Sequence, residues 1–264
     1  MITPLSISYD SEDTKPAALA FSKQHQYPCV NISEVTTPLS LNFKNECVEL
    51  RDNEKNIAIH VDFISGDLAH RQKFGGGRGQ SIAKAIGIKQ GIPPPTVLDA
   101  TAGLAKDAYV LACIGCKLTL VERSAVIVEL IKDAIQRAID DEYFKTILET
   151  GFNVINQSSI EYLNALINNN TSNAVAPEVI YLDPMYPDKK KSASVKKNMQ
   201  ILQKMLGKDE DTQALLEVAL SVAKKRVVVK RPKGAEHLSK VKPTYAVESK
   251  KTRYDVYIIP KESI

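Results

Sequence analysis

Over the last two thirds of the chain, short apolar runs alternate with stretches of helical period. Thr96 to Asp99, Lys117 to Val121, Phe152 to Asn156, Val179 to Leu182 and Arg226 to Val229 are rich in Val, Ile and Leu and have the length of buried strands. Between them the spacing predicts helices over about 104–114, 159–167 and 212–223, and another whose Val128, Ile131, Ile135 and Ala138 fall on one face. Two last strands, near 245–249 and 255–259, are joined without a helix. This order predicts an α/β fold: a doubly wound, mostly parallel, seven-stranded Rossmann-like sheet closing on an antiparallel hairpin.

The first part of the chain has a different texture. Residues 1–65 read as a small N-terminal α/β unit, with a strand at 5–9, a helix at 15–25 and strands near 47–50 and 57–63. Residues 66–95 form a Gly-rich basic loop and a linker helix at 81–86, ending in Pro93-Pro94-Pro95, and 96–264 form the main domain. The loop His70-Arg-Gln-Lys-Phe-Gly-Gly-Gly-Arg-Gly-Gln80 lacks the Gly-Lys-Ser/Thr ending of a P-loop, which excludes a nucleoside triphosphatase. Arg71, Lys73 and Arg78 around its glycines suit a phosphate or an RNA backbone; a plain flexible linker is the alternative.

Composition narrows the class. With 44% hydrophobic and 25% charged residues in 264, the chain can bury a full core. It has no apolar run near the ~18 residues of a membrane span, and its first residues lack a basic segment followed by an apolar one, so a cytoplasmic protein without a membrane partner is expected. Cys113 and Cys116 spell C-x-x-C at the end of a helix, without a second pair, and the four histidines are scattered, so no metal is expected. Charge is uneven along the chain. Residues 1–183 carry 16 Lys and Arg against 22 Asp and Glu, and residues 184–264 carry 19 against 9. A basic C-terminal third fits a polyanionic partner such as nucleic acid, or simply a solvated lysine-rich surface.

Candidate chemistry gathers at the strand ends, where ligands of open α/β sheets bind. The residues there are Asp99, Glu122, Ser158 with Ser159, Asp183, and Lys230 with Arg231. After Asp99 the turn Ala-Thr-Ala-Gly103 allows close backbone approach and leads to a helix start with free N–H groups. Glu122 suits the two hydroxyls of a ribose and would serve NAD or S-adenosylmethionine equally, since G-x-G-x-x-G is absent. Asp183-Pro-Met-Tyr-Pro187 separates these two. Its prolines stiffen the loop, Asp183 supplies an acceptor and Tyr186 a flat face, an arrangement suited to methylating an exocyclic amine on a base. Asp183 and Tyr186 are therefore the candidate catalytic residues. Lys189, Lys190, Lys191, Lys196 and Lys197 follow that loop, and Lys230, Arg231 and Lys233 come from the next strand end. All are candidates for RNA phosphates around a flipped base.

Together D-A-T-A-G-L-A-K-D, V-E-R, Y-L-D-P-M-Y-P and V-V-V-K-R-P resemble class I S-adenosylmethionine-dependent methyltransferases. With H-R-Q-K-F-G-G-G-R-G ahead of them they are similar, over roughly residues 60–259, to the ribosomal RNA small subunit methyltransferase J family. Met185 stands where the broader amino-methyltransferase pattern has a second consecutive proline. The resemblance implies S-adenosylmethionine as cofactor, held by Lys106 with Asp107, Glu122 with Arg123, Ser158 with Ser159, and Asp183, with residues 183–187 facing the base. It further implies methylation of the N2 amine of a guanine in 16S rRNA, as free RNA or in the small ribosomal subunit. The alternatives are methylation of an adenine N6 in DNA or RNA, a nicotinamide-dependent oxidoreductase, and a module that only docks on RNA.

Overall fold

Pro16 near the start of a helix and alternating apolar positions in the strands before and after it set up the first of two sheets. The computed structural model describes residues 3–65, 77–168, 176–185, 197–207 and 211–260. The described residues within Met1–Asp62, Ser124–Ile139 and Pro187–Lys208 form one compact unit, and those within Phe63–Arg123, Asp140–Tyr186 and Asp209–Ile264 form another.

The first unit holds β1 (Leu5–Tyr9), α1 (Lys15–His25), β2 (Cys29–Asn31), β3 (Leu39–Phe43), β4 (Val48–Asp52) and β5 (Ile57–Ile59). Its sheet runs β2-β1-β3-β4-β5, with β1 parallel to both neighbours and the last three strands antiparallel. The sequence pattern anticipates β1 and α1 but not β2 or β3, and the strand expected at 57–63 stops at Ile59. Ser8 on β1 donates to Asn42 Oδ1 on β3 at 2.7 Å, and Asn42 passes a hydrogen bond of 3.1 Å to Glu49 Oε1 on β4. These three side chains are buried, so a polar seam lies within the unit and its internal hydrogen bonds offset the burial.

Two helices distant in sequence complete this unit. One spans Ala125–Ala138 and is capped by Ser124, whose hydroxyl accepts from the Ile127 N–H. Its Arg137 donates to the Val61 carbonyl and pairs with Asp133 at 2.9 Å. The other spans Lys197–Leu206, where no element was expected, and its Lys204 bridges Asp52 at 2.8 Å and Glu54 at 2.7 Å.

The second unit carries the seven-stranded sheet, and its elements follow the numbering β6 (Thr96–Asp99), β7 (Lys117–Glu122), β8 (Phe152–Asn156), β9 (Val179–Leu182), β10 (Arg226–Pro232), β11 (Tyr245–Glu248) and β12 (Thr252–Ile258). The order is β11-β12-β10-β9-β6-β7-β8; β10, β9, β6, β7 and β8 run parallel to one another, and β12 runs antiparallel between β10 and β11. That is the expected mostly parallel sheet with its closing hairpin.

Counting helices along the whole chain, α2 is Ser81–Ile86, α3 Lys106–Cys113, α4 the Ala125–Ala138 helix of the first unit, α5 Glu142–Thr150, α6 Ser159–Ile167, α7 the Lys197–Leu206 helix and α8 Thr212–Val222. The short α5, capped by Asp141 through the Phe144 N–H, was not expected. Leu163 of α6 and Leu216 and Ala219 of α8 pack on Leu98, Ile180, Leu182, Val227 and Val229, which are the alternating residues of one sheet face. Phe63, Tyr109 and Phe144 stack as a separate aromatic cluster that Phe152 meets edge-on, with the Tyr109 hydroxyl donating to the Phe63 carbonyl at 2.7 Å.

Candidate active site at the strand ends

The strand order β9-β6-β7 brings the carboxyl ends carrying Asp183, Asp99 and Glu122 side by side. From β6 the chain proceeds to β7 on one side, while β9 lies on the other, so this is where the winding reverses, the position at which open α/β sheets bind their ligands. The loop leaving β6 is built around Thr101. Its N–H donates to Asp99 Oδ1 at 3.0 Å, and its hydroxyl oxygen accepts the Asp183 N–H at 2.6 Å, tying the ends of β6 and β9 together. Ala100 N–H to the Tyr181 carbonyl at 3.0 Å reinforces that tie.

Gly103 follows with φ +49°, a left-handed conformation that glycine adopts without a Cβ penalty. Its N–H donates to Glu122 Oε2 at 3.1 Å, which orients the buried carboxylate at the end of β7. Among the described residues a Cβ on Gly103 would meet only the Thr101 carbonyl oxygen, at 3.8 Å, an ordinary van der Waals distance, so those residues leave room over this turn. An acidic group held by a backbone N–H beside an open glycine turn is the donor and acceptor set that a ribose and the backbone-approaching part of S-adenosylmethionine require. These residues fit that cofactor. Among the described residues no group of three His, Cys, Asp or Glu side chains is placed to hold a metal ion.

The other expected cofactor residues stand around the same strand ends. Ser158 precedes α6, and the Ser159 hydroxyl donates to the Ala100 carbonyl at 2.6 Å, fixing the start of that helix to the β6 turn. Asn156 on β8 donates to the Glu122 and Arg123 carbonyls at 3.0 and 3.2 Å. Arg123 is exposed and pairs with Asp211, the residue before α8, at 3.2 Å. Lys106 opens α3 on the exposed side, and Asp107 beside it turns inward.

Asp107 leads to a cluster that no local motif announces. Lys230 on β10 donates to Asp107 Oδ2 at 2.7 Å and to Asp183 Oδ2 at 2.8 Å, and the buried Tyr181 hydroxyl donates to the same Asp107 oxygen at 2.7 Å. The lysine is thus engaged between two carboxylates. Burial works against its charge, but Asp183 and Asp107 outweigh it and its pKa stands above that of an ordinary lysine. Asp183 is held above the usual carboxylate range, chiefly by burial, with Lys230 opposing and the negative charge of Asp107 adding. Asp99 is pushed up to about 8, first by burial and then by the nearby Asp107, Asp183 and Glu122, against the Thr101 N–H.

The neighbouring Arg231 points elsewhere. It is 6% exposed and donates to the Glu236 carbonyl through Nε and Nη2 at 3.2 and 3.1 Å. Arg78 is exposed in the turn Gly77–Gly79. Tyr186, Arg71, Lys73, Lys189 and Lys190 lie outside the described residues. Thr101, Tyr181 and Asn156 are site-building residues that sequence reasoning passed over; only Thr101, a hydroxyl among small residues in the turn after Asp99, carried a local signal.

With this geometry in place, comparison with known proteins is informative. The SAM-dependent methyltransferase family model matches residues 25–259. Ribosomal RNA small subunit methyltransferase J of Shewanella loihica is 43% identical over 258 residues, covering 94% of this chain and 96% of that protein. The Aeromonas salmonicida protein of the same name is 49% identical over 222 residues, covering 83% and 86%. A crystal structure of a SAM-dependent methyltransferase from Neisseria gonorrhoeae is similar with a TM-score of 0.73 at 31% identity, with 98% of each chain covered.

Proposed function

Since the chain belongs to the ribosomal RNA small subunit methyltransferase J family of S-adenosylmethionine-dependent methyltransferases, we propose that it methylates the exocyclic N2 amine of a guanine in 16S rRNA. The observation that carries this reading is the convergence of Glu122, Gly103 and Asp183 on one crevice through Thr101 and the β9-β6-β7 order. The same membership disfavours a nicotinamide-dependent oxidoreductase, which also leaves the acceptor at the end of β9 without a task.

When bound, S-adenosylmethionine supplies an electrophilic methyl group on a sulfonium sulfur. Glu122, oriented by the Gly103 N–H, would hold the ribose hydroxyls, and the turn at 100–103 would admit the cofactor close to the backbone. Asp183 is the acceptor for a guanine N–H. An exocyclic amine is a weak nucleophile because its lone pair is delocalised into the ring, and an acceptor on its N–H concentrates that pair toward the incoming carbon. The remaining contribution is positioning, which brings nucleophile and carbon to near-attack distance. The N–H proton leaves to Asp183 or to water.

The substrate is 16S rRNA or the small ribosomal subunit, which places the enzyme in the cytoplasm; no helix among the described residues is long and apolar enough to cross a membrane. Purified protein given methyl-labelled S-adenosylmethionine should label 16S rRNA and leave DNA unlabelled. Labelling of DNA adenine instead would replace this reading with its nearest rival. Asp183→Ala should abolish transfer, and full transfer by that variant would remove Asp183 from its role.

A further inference from the structure

Lys230 sits at the end of β10, in a Lys-Arg-Pro run that by position in the sequence belongs with RNA-contacting lysines. Its side chain does something else. The ammonium lies within 2.8 Å of Asp183 Oδ2 and 2.7 Å of Asp107 Oδ2, so a single cation spans the last residue of the β9 end and the first turn of α3. The three side chains are 27%, 39% and 13% exposed for Lys230, Asp183 and Asp107, so screening by water is incomplete and the charge-assisted bonds are of the strong kind. Tyr181 holds Asp107 from beneath, and the Asp183 backbone is held by Thr101. Asp183 is therefore fixed by its backbone on one side and by one carboxylate oxygen on the other. Among the described residues its second oxygen, Oδ1, accepts no hydrogen bond.

We propose that Lys230 is a positioning residue, which clamps the Asp183 carboxylate to Asp107 so that Asp183 meets the substrate amine in its charged form with Oδ1 presented to it. This rests on the proposed methyl transfer to a guanine amine and assigns to Lys230 a task distinct from phosphate binding. Without the cation, Asp107 and Asp183 are two carboxylates sharing one partly buried place together with Asp99. Like charges so arranged cannot all stay ionised, and protonation of Asp183 converts the acceptor into a donor. The acid side of the pH–rate profile must then move to higher pH, because the opposing influence of Lys230 on Asp183 is gone.

Lys230→Met keeps the length and bulk of the side chain and removes its charge. The expected result is a fall in kcat of about 100-fold, the scale of a misplaced catalytic group, with the KM for 16S rRNA and the salt dependence of RNA binding unchanged and the acid limb shifted upward. Lys230→Arg should recover much of kcat and return the limb toward its original position. Circular dichroism and thermal melting of both variants report folding. The Asp183 carboxyl resonance, followed by carbon NMR against pH, should titrate at higher pH in Lys230→Met than in the unsubstituted protein. Unchanged kcat with a raised KM for rRNA and a shallower salt dependence would make Lys230 a phosphate contact and overturn the proposal, as would an unchanged Asp183 titration. If the unsubstituted protein does not methylate rRNA, the functional reading fails, and the Asp183 titration still decides the clamp.

Discussion

Asp99 is buried, carries a pKa of about 8 and accepts the Thr101 N–H, so its folded and unfolded states differ in protonation across a wide range. The folded chain holds the proton up to about pH 8, and the unfolded chain releases it near pH 4. Between those values the folded state binds more protons, and this residue's contribution makes stability fall as pH rises through that window. Asp99→Asn retains an oxygen for the Thr101 N–H and lacks the titration. Thermal melting at constant ionic strength should therefore give a stability difference between variant and unsubstituted protein that grows in the variant's favour from pH 4 to pH 8; parallel profiles would contradict it. On the proposed function Glu122 would hold the ribose through charge-assisted hydrogen bonds, each worth about 1.5–3 kcal/mol. Glu122→Ala should weaken S-adenosylmethionine binding by about tenfold to hundredfold in calorimetry, and an unaltered affinity would exclude it from the ribose site. Glu122 and Asp183 were legible in the sequence because each ends a recognisable apolar run. The partners of Lys230 were not, because Asp107 and Asp183 stand far from it in the chain and only the sheet order brings them to it.

At the scale of elements, the turn between β6 and α3 is the part that both sequence and structure mark. Gly103 has a positive φ, and among the described residues a Cβ there would meet only the Thr101 carbonyl oxygen, at 3.8 Å. Gly103→Ala should cost about 1–2 kcal/mol of stability for the left-handed backbone alone. It should weaken cofactor affinity in addition, because the new methyl enters the crevice. A stability loss with no change in affinity would mean that the cofactor does not approach this turn. The parallel strands β6, β7, β9 and β10 were readable because each is a largely buried apolar run between segments of helical period, and the edge strand β8, with Asn153 and Asn156 exposed, because Phe152, Val154 and Ile155 stand between such segments. β3 reads Leu-Ser-Leu-Asn-Phe, and its Ser40 and Asn42 resemble loop residues until the buried partners Ser8 and Glu49 are known. α5 and α7 escaped notice for a different reason: each carries an apolar stripe, with Phe144 and Ile147 buried in α5 and Ile201 in α7, but each is one of two helices between consecutive strands, and a strict alternation of strand and helix leaves one of them out.

For the whole molecule, charge and chain order have different consequences. On the proposed function, the basic residues of 184–264 against the acidic balance of 1–183 would be the electrostatic footprint for RNA. Affinity for 16S rRNA should fall linearly on a log–log plot against salt, with a slope set by the number of phosphates contacted. Filter binding across a salt series measures it, and a flat line would exclude a phosphate-dominated interface. The grouping of the Ala125–Ala138 helix with the N-terminal sheet was not legible, because its apolar stripe records that one face is buried without recording against what. The central claim is narrower than any of these and concerns one atom of one base. 16S rRNA from cells lacking the protein, incubated with purified protein and S-adenosylmethionine and then mapped by mass spectrometry, should gain a single methyl on the N2 of a guanine with unsubstituted protein and none with Asp183→Ala. A methyl on another base or another atom, or equal gain with the variant, would contradict the account.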